Sequence, residues 1–141
     1  MPNVTPAVAN TALDALDAVW HGGVLEARSG PRPAAAANAN AGTVLASVTI
    51  GPDLYSSAAA ASKALVAALT LVASAVGTIG HLRLRQAGDS GSSAATSGQH
   101  RADFSVATSG SPDVLMSDNV IAAVGQQVTV SALPLSLPLA S

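Results

Sequence analysis

The first twenty residues carry apolar side chains at helical spacing. These side chains recur every three or four positions, so that they fall on one face of a helix. Thr5 can cap such a helix, Pro6 suits its first turn, and the glycine pair 22–23 can end it. We therefore expect one helix over residues 5–20, with an apolar stripe that docks on its own domain or on a partner. The stripe consists of Leu13, Leu16 and Trp20.

After the glycine pair, the apolar period changes from the helical value to that of a strand. Short runs rich in Val, Ile, Leu and Thr are separated by Gly, Pro, Asn and Ser, which is the pattern of strands joined by turns. The sequence therefore predicts a mainly β chain. The predicted strands cover 24–28, 43–50, 81–85, 102–107, 114–116, 120–121 and 127–139.

Periodicity does not distinguish a helix from a strand over 64–80, seventeen residues without a charge. The alanines and leucines favour a helix, but the segment lies between turn signals and has predicted strands on both sides. We favour a strand here. A membrane-spanning helix needs roughly 20 apolar residues, and this segment is shorter and rich in small residues. We therefore expect no contact with a membrane.

The predicted strand 81–85 alternates strictly, with leucines on one face and basic side chains on the other. Its leucines are expected to face Phe104 and Val106 across a hairpin, which places Asp103 beside the basic face. The connecting segment 86–99 is rich in Gly, Ser and Thr. We expect this loop to be mobile and dispensable for folding, because such loops bury little surface.

The last predicted strand combines alternating leucines with prolines of the opposite parity. The leucines share one face, whereas the prolines remove N–H groups from one edge. A change of phase near 131–132 suggests a bulge. We expect an edge strand that closes the core, or an arm laid on a neighbouring subunit, and we assign its leucines with the helical stripe to a partner interface. The leucines are Leu133, Leu135, Leu137 and Leu139, and the prolines are Pro134 and Pro138.

Composition supports association rather than enzymatic chemistry. The chain has 141 residues, enough for a single domain over 1–141, and is 49% hydrophobic with only three aromatic residues. A core so poor in aromatic rings gains stability by burying surface against other subunits. Only 10% of residues are charged and the formal net charge is −2, which favours a homo-oligomer. The few basic residues are scattered, so we expect no nucleic-acid binding.

Candidate catalytic and metal-binding groups are sparse. The chain has three histidines without a metal-binding spacing, and it has no cysteine. His100 and Asp103 could form a triad with a serine, but the nucleophile-elbow pattern Gly-x-Ser-x-Gly is missing. The acidic residues are isolated along the chain, so no pair is suited to general acid–base catalysis. We expect surface or loop histidines, no enzymatic activity, no cofactor and no metal.

The order of these segments resembles a family of small structural proteins that are encoded in the virion-assembly regions of tailed bacteriophages and prophages. The resemblance runs from about residue 12 to residue 137. It begins with LDALDAVWHGG, VLEARSGPRPA and GTVLASVTIG, and continues through LYSSAAAA and GHLRLRQAGDSG to DVLMSDNVIAAVGQQVTVSALPLSLP. These motifs are apolar strand patterns without catalytic residues. The segment 65–78 departs from the family because it is more apolar than the Thr- and Asp-rich stretch expected there.

The resemblance implies an antiparallel β-sandwich over about 24–139, preceded by one N-terminal α-helix. It also implies a place on the surface of a phage particle that assembles in the bacterial cytoplasm, with the major capsid protein or other virion subunits as partners. A capsid decoration (cement) protein is the preferred interpretation, and a neck, collar, tail-surface or fibre-base component is the alternative. A secreted adhesin is more remote, because the N-terminus lacks the basic start and apolar run of an export signal.

Overall fold

The computed structural model describes residues 4–136 and begins with two short helices at the predicted position. Helix α1 (Pro6–Asp14) is capped by Thr5, whose Oγ1 accepts a hydrogen bond of 3.4 Å from the Val8 amide. Helix α2 (Leu16–Trp20) follows after a break at Ala15. The chain then turns at Gly22, which has φ +76°, a conformation that glycine adopts without steric cost.

The remainder of the chain is mainly β, as predicted. The strands are β1 (Val24–Ser29), β2 (Val44–Thr49), β3 (Ser62–Lys63), β4 (Leu69–Ala73), β5 (Gly77–Arg85), β6 (Arg101–Ala107), β7 (Val114–Leu115), β8 (Val120–Ile121), β9 (Gln127–Val130) and β10 (Leu135–Ser136). Seven of them follow one another across a curled sheet in the order β7–β6–β5–β1–β2–β4–β9, and an eighth, β8, also pairs with β5. The remaining two, β3 and β10, form a separate ribbon.

The architecture differs from the expected sandwich in two respects. Within residues 4–136 the large sheet is one continuous path of paired strands, so the separation into two stacked sheets is not confirmed. Its pairs are antiparallel except for β6 and β7, which run parallel. The predicted last strand is also divided, because β9 ends before the expected phase change and β10 leaves the large sheet to pair with β3.

The segment 64–80 forms strands rather than a helix, as we favoured. It contains all of β4 and the start of β5. Strand β4 alternates between buried Leu71 and Ala73 and exposed Thr70 and Val72, so only one of its faces is covered. No helix within the described part of the chain is long and apolar enough to cross a membrane.

The apolar core lies on one face of the central strands. Leucines of β5 and β1 meet aliphatic side chains from β2, β4 and β9, and Trp20 of α2 packs against the same cluster. The predicted hairpin of β5 and β6 forms with Leu82 opposite Phe104, but Leu84 lies opposite Ala102 rather than Val106. The fully buried leucines of this core are Leu25, Leu71, Leu82, Leu84 and Leu133.

Gly80 allows the loop after β1 to cross β5 at close range. A Cβ atom at this position would lie 2.1 Å from the backbone oxygen of Gly30, closer than any side chain can approach. The crossing also lets the Gly30 oxygen lie 2.9 Å from Nδ1 of the buried His81. The loop that follows β1 is therefore held over the face of the sheet opposite the apolar core.

Candidate partner-binding surface and the buried ionic layer

The face of β1, β5 and β6 opposite the apolar core is lined by charged side chains. In the strand register Glu26 lies opposite Arg83, which in turn lies opposite Asp103. Arg83 is completely buried and donates two hydrogen bonds to the Asp103 carboxylate, of 2.7 and 2.8 Å. We call this set the ionic layer. Its members are Glu26, Arg28, Arg83, Arg85, Asp89, Arg101 and Asp103.

Glu26 joins two of the arginines in this layer. One carboxylate oxygen accepts from Arg28 and the other from Arg85, each at 2.5 Å. Charge-assisted bonds of this kind are stronger than neutral ones, and a buried charge needs such partners because it has left water. Glu26 therefore links β1 to β5 on the face opposite the leucines.

The alanine- and asparagine-rich loop 34–42 covers the ionic layer. The Asn38 backbone oxygen accepts a 2.9 Å hydrogen bond from Arg83, and the Ala41 oxygen accepts one of 2.9 Å from Arg28. Guanidinium groups have five donors, so these carbonyls occupy positions that the carboxylates leave free. Strand alternation predicts Asp103 beside the basic face of 81–85, but it does not predict that a loop buries that face.

The polar loop 86–99 is packed against the domain, contrary to our expectation that it would be dispensable. Asp89 within it is 3% exposed and accepts two hydrogen bonds from Arg101, of 2.6 and 2.8 Å. The Ala95 amide also donates to the Ala37 backbone oxygen at 2.7 Å. Shortening this loop would remove the counter-ion of a buried arginine, so the loop contributes to the stability of the fold.

Stability is expected to fall in acid partly because of Asp89. Hydrogen bonds from Arg101 hold the pKa of the Asp89 carboxyl below its ordinary value, despite the opposing effect of burial. A carboxyl with a lowered folded pKa stabilises the fold above its unfolded pKa, about 4, and loses this contribution as the pH falls through the folded value.

The free energy of unfolding should therefore decrease below about pH 4, and Asp89→Asn should weaken this decrease while lowering stability at neutral pH. Urea denaturation at a series of pH values measures both effects. Asp53→Asn is the matched control, because Asp53 is exposed and forms no ion pair within residues 4–136. Parallel pH curves for the wild type and Asp89→Asn would contradict the assignment.

A buried lysine outside the ionic layer links the helices to β3. Lys63, whose side chain is 1% exposed, donates hydrogen bonds of 2.9 Å to Asp14 and 2.8 Å to Asp17. The hydrogen bond from Lys63 holds the pKa of Asp14 below its ordinary value. Asp14 and Asp17 also accept bonds from the backbone amides of Ala58 and Tyr55. The polar side of the helical segment is therefore attached to the 55–63 segment.

The residues of the predicted partner interface lie largely inside the chain. Leu13, Trp20 and Leu133 are each at most 3% exposed, so a partner docking on the folded chain does not reach their side chains. Leu16 and Leu135 are half-buried against the core cluster. Leu137 and Leu139 lie outside the described residues.

Tyr55 explains how the terminal segment is held. Its hydroxyl donates a 3.0 Å hydrogen bond to the Leu133 backbone oxygen, and its ring lies 6.3 Å from that of Trp20. Burial raises the pKa of the Tyr55 hydroxyl, and the nearby Asp17 carboxylate raises it further. Two roles were considered for this segment, a strand that closes the core and an arm on a neighbouring subunit. The position of Leu133 fits the first, because this residue closes the chain's own core.

The three histidines belong to no metal-binding cluster in the described part of the chain. His21 and His100 are exposed, whereas His81 is completely buried on β5, which corrects the expectation of surface or loop positions. Its Nε2 has no hydrogen-bond partner within residues 4–136. No cluster of His, Asp and Glu there could hold a metal ion.

A cleft separates the two ends of the large sheet. Its volume is about 510 Å³. One wall is 113–118, which contains β7, and the other is 128–132, which contains part of β9, together with Pro134. These two strands are the outermost in the path of the sheet and are not paired with each other. The sheet therefore curls until its two edges face one opening, and this cleft is the candidate surface for a partner.

Comparison with known proteins adds no relative. No protein-family model, no curated protein and no solved structure matches the chain significantly.

Proposed function

We propose that the chain is a non-enzymatic structural subunit of a tailed-bacteriophage particle, where it acts as a capsid decoration protein that stabilises the head. The observation that carries this proposal is a sheet whose central strands are covered on both faces and whose outer strands β7 and β9 leave unpaired edges at the cleft within residues 4–136. A folded domain with an unpaired sheet edge is suited to joining neighbouring subunits. The proposal that these subunits belong to a phage particle rests on the sequence resemblance to virion structural proteins.

Two physical features support a role in assembly. Three aromatic residues among 141 leave a core built mainly from aliphatic side chains, so that contacts with other subunits add appreciably to stability. Large apolar side chains also remain on the surface, including Val72, Val76, Leu115 and Val124, each more than half exposed. The proposed partners are the major capsid protein and further copies of the chain, on the surface of a particle assembled in the host cytoplasm.

Quantitative mass spectrometry of purified particles tests the proposal. A decoration protein should be present at a copy number comparable to that of the major capsid protein. A few copies per particle would instead favour a neck, collar, tail-surface or fibre-base component. Complete absence from purified particles, with the protein present in the infected cell, would overturn the proposal.

A further inference from the structure

The outer edge of β9, part of which lines the cleft, carries backbone groups that do not bond to the neighbouring strand β4. The Ala73 amide donates to the Gln126 oxygen at 2.9 Å, which sets the phase of the β4–β9 ladder. Because antiparallel pairs alternate, Val128 and Val130 then bond to β4, whereas the N–H and C=O groups of Gln127 and Thr129 point away from it. Within residues 4–136 the outer edge of β9 has no partner strand and is therefore available for hydrogen bonding.

The opposite wall presents a similar edge. The Met116 amide donates to the Ala107 oxygen at 3.0 Å, so the backbone groups of Leu115 face away from β6. The Leu115 side chain is 62% exposed. Both walls thus offer main-chain donors and acceptors beside apolar side chains, and this combination fits an added strand better than it fits a small polar molecule.

Proteins usually protect an edge strand with a charge, a proline or a bulge. β9 consists of Gln127, Val128, Thr129 and Val130, and its register with β4 is regular. The first proline after it is Pro134. Because β9 lies in a cleft, a single extended segment can reach its unprotected edge. The edge of another folded sheet is broader and cannot approach β9 as easily.

The cleft also carries uncompensated negative charge. It is lined by Asp113 and Asp118 and by no basic residue among 4–136. Asp113 pairs with Arg32 and with the Ser105 hydroxyl and amide, whereas Asp118 has no ion-pair partner in that range and accepts only from the Val120 amide. A lysine or arginine at the end of an incoming strand would meet the Asp118 carboxylate.

We propose that this cleft binds an extended segment of another virion protein, with alternating apolar side chains and a flanking basic residue, as a strand between β7 and β9. This inference rests on the proposed function for the origin of the strand. The cleft itself recognises the strand through the backbone groups of Thr129 and Leu115 and through Asp118, and the β9 edge continues from the cleft to Gln127. Recognition by the main chain tolerates many side-chain sequences.

A synthetic peptide tests this recognition directly. The probe is the fluorescently labelled, end-blocked peptide Lys-Val-Thr-Val-Thr-Val-Lys, titrated with the intact protein and followed by anisotropy. We expect saturable binding with a Kd in the micromolar range. A peptide with proline in place of the central valine should bind about tenfold more weakly or worse, a loss of about 1.4 kcal/mol, because it cannot complete the ladder.

Variants of the protein identify the edge that binds. Thr129→Pro removes an N–H group that points away from β4, so the fold should be retained while binding weakens at least tenfold. Thr129→Val is the matched control, because it keeps the amide and should bind as the wild type does. Asp118→Asn should remove the preference for the lysine-flanked peptide over one flanked by glutamate.

Three results would overturn the inference. They are equal binding of the proline-containing peptide, unchanged binding by a folded Thr129→Pro protein, and no saturable binding up to about 1 mM peptide. If Thr129→Pro does not fold, as judged by circular dichroism, the inference is still tested by the comparison of the valine and proline peptides and by Asp118→Asn. If the peptide does not bind but the protein is abundant in particles, only the assignment of the cleft as a strand-binding site is wrong. Peptide binding by a protein absent from particles would instead remove the proposed function.

Discussion

Replacement of Arg83 by methionine is expected to lower the free energy of unfolding by about 3–5 kcal/mol. Methionine keeps much of the apolar volume of the side chain but removes the guanidinium. The Asp103 carboxylate, 5% exposed, then remains buried without its bidentate partner. An unpaired buried charge is costly because neither water nor an opposite charge stabilises it. Urea denaturation at neutral pH measures the change.

Two further variants test whether the loss comes from the unpaired buried charge of Asp103. The double variant Arg83→Met/Asp103→Leu should recover much of the loss, since apolar pairs often replace buried ion pairs at little cost. Arg32→Ala breaks the exposed pair with Asp113, whose side chains are 49% and 39% exposed, and should cost about 0–1 kcal/mol. A single-variant loss as small as that of Arg32→Ala would show that water reaches Asp103.

Leu133→Ala is expected to cost about 2–5 kcal/mol, the range for truncating a buried leucine in a core that relaxes only in part. Leu133 is 1% exposed, and its backbone oxygen is bound by the Tyr55 hydroxyl. Leu135→Ala provides the matched control: the same truncation two residues later, at a half-buried position, should cost less. Thermal or urea denaturation of the isolated protein measures both losses.

This comparison distinguishes a core segment from an assembly arm. If Leu133 closes the core, Leu133→Ala loses stability in the isolated protein, and deletion of 132–141 prevents folding. A Leu133→Ala protein with wild-type stability that no longer attaches to particles would instead identify an arm. That result would contradict the position of Leu133 in the structure.

Local features of the fold followed directly from the sequence. Thr5 and Pro6 mark the start of α1, because a hydroxyl cap and a proline in the first turn act within a few residues of the chain. The hairpin of β5 and β6 was predictable in its faces, since alternation on both strands puts Leu82 with Phe104 and Arg83 with Asp103, but not in its exact register, because a shift by two residues keeps the same faces together.

The candidate site was predictable only in part. Alternating leucines showed that one side of 133–139 is apolar, but not whether a partner or the chain itself covers that side. The structure places Leu133 in the chain's own core and leaves the proposed binding surface elsewhere, at the edges of β7 and β9. Sequence patterns report which residues share a face, whereas an unpaired edge arises from the path of the whole sheet.

By itself, the sequence determined the mainly β class, the position of the helical segment and the partition of each strand into two faces. The tertiary structure alone decided that the charged face of β5 is buried, that loops 34–42 and 86–99 cover it, and that the sheet curls around a cleft. Alternation is set by backbone geometry over two residues. Burial of Arg83 depends instead on carbonyls some 45 positions earlier in the chain, whose approach is governed by contacts that no local pattern encodes.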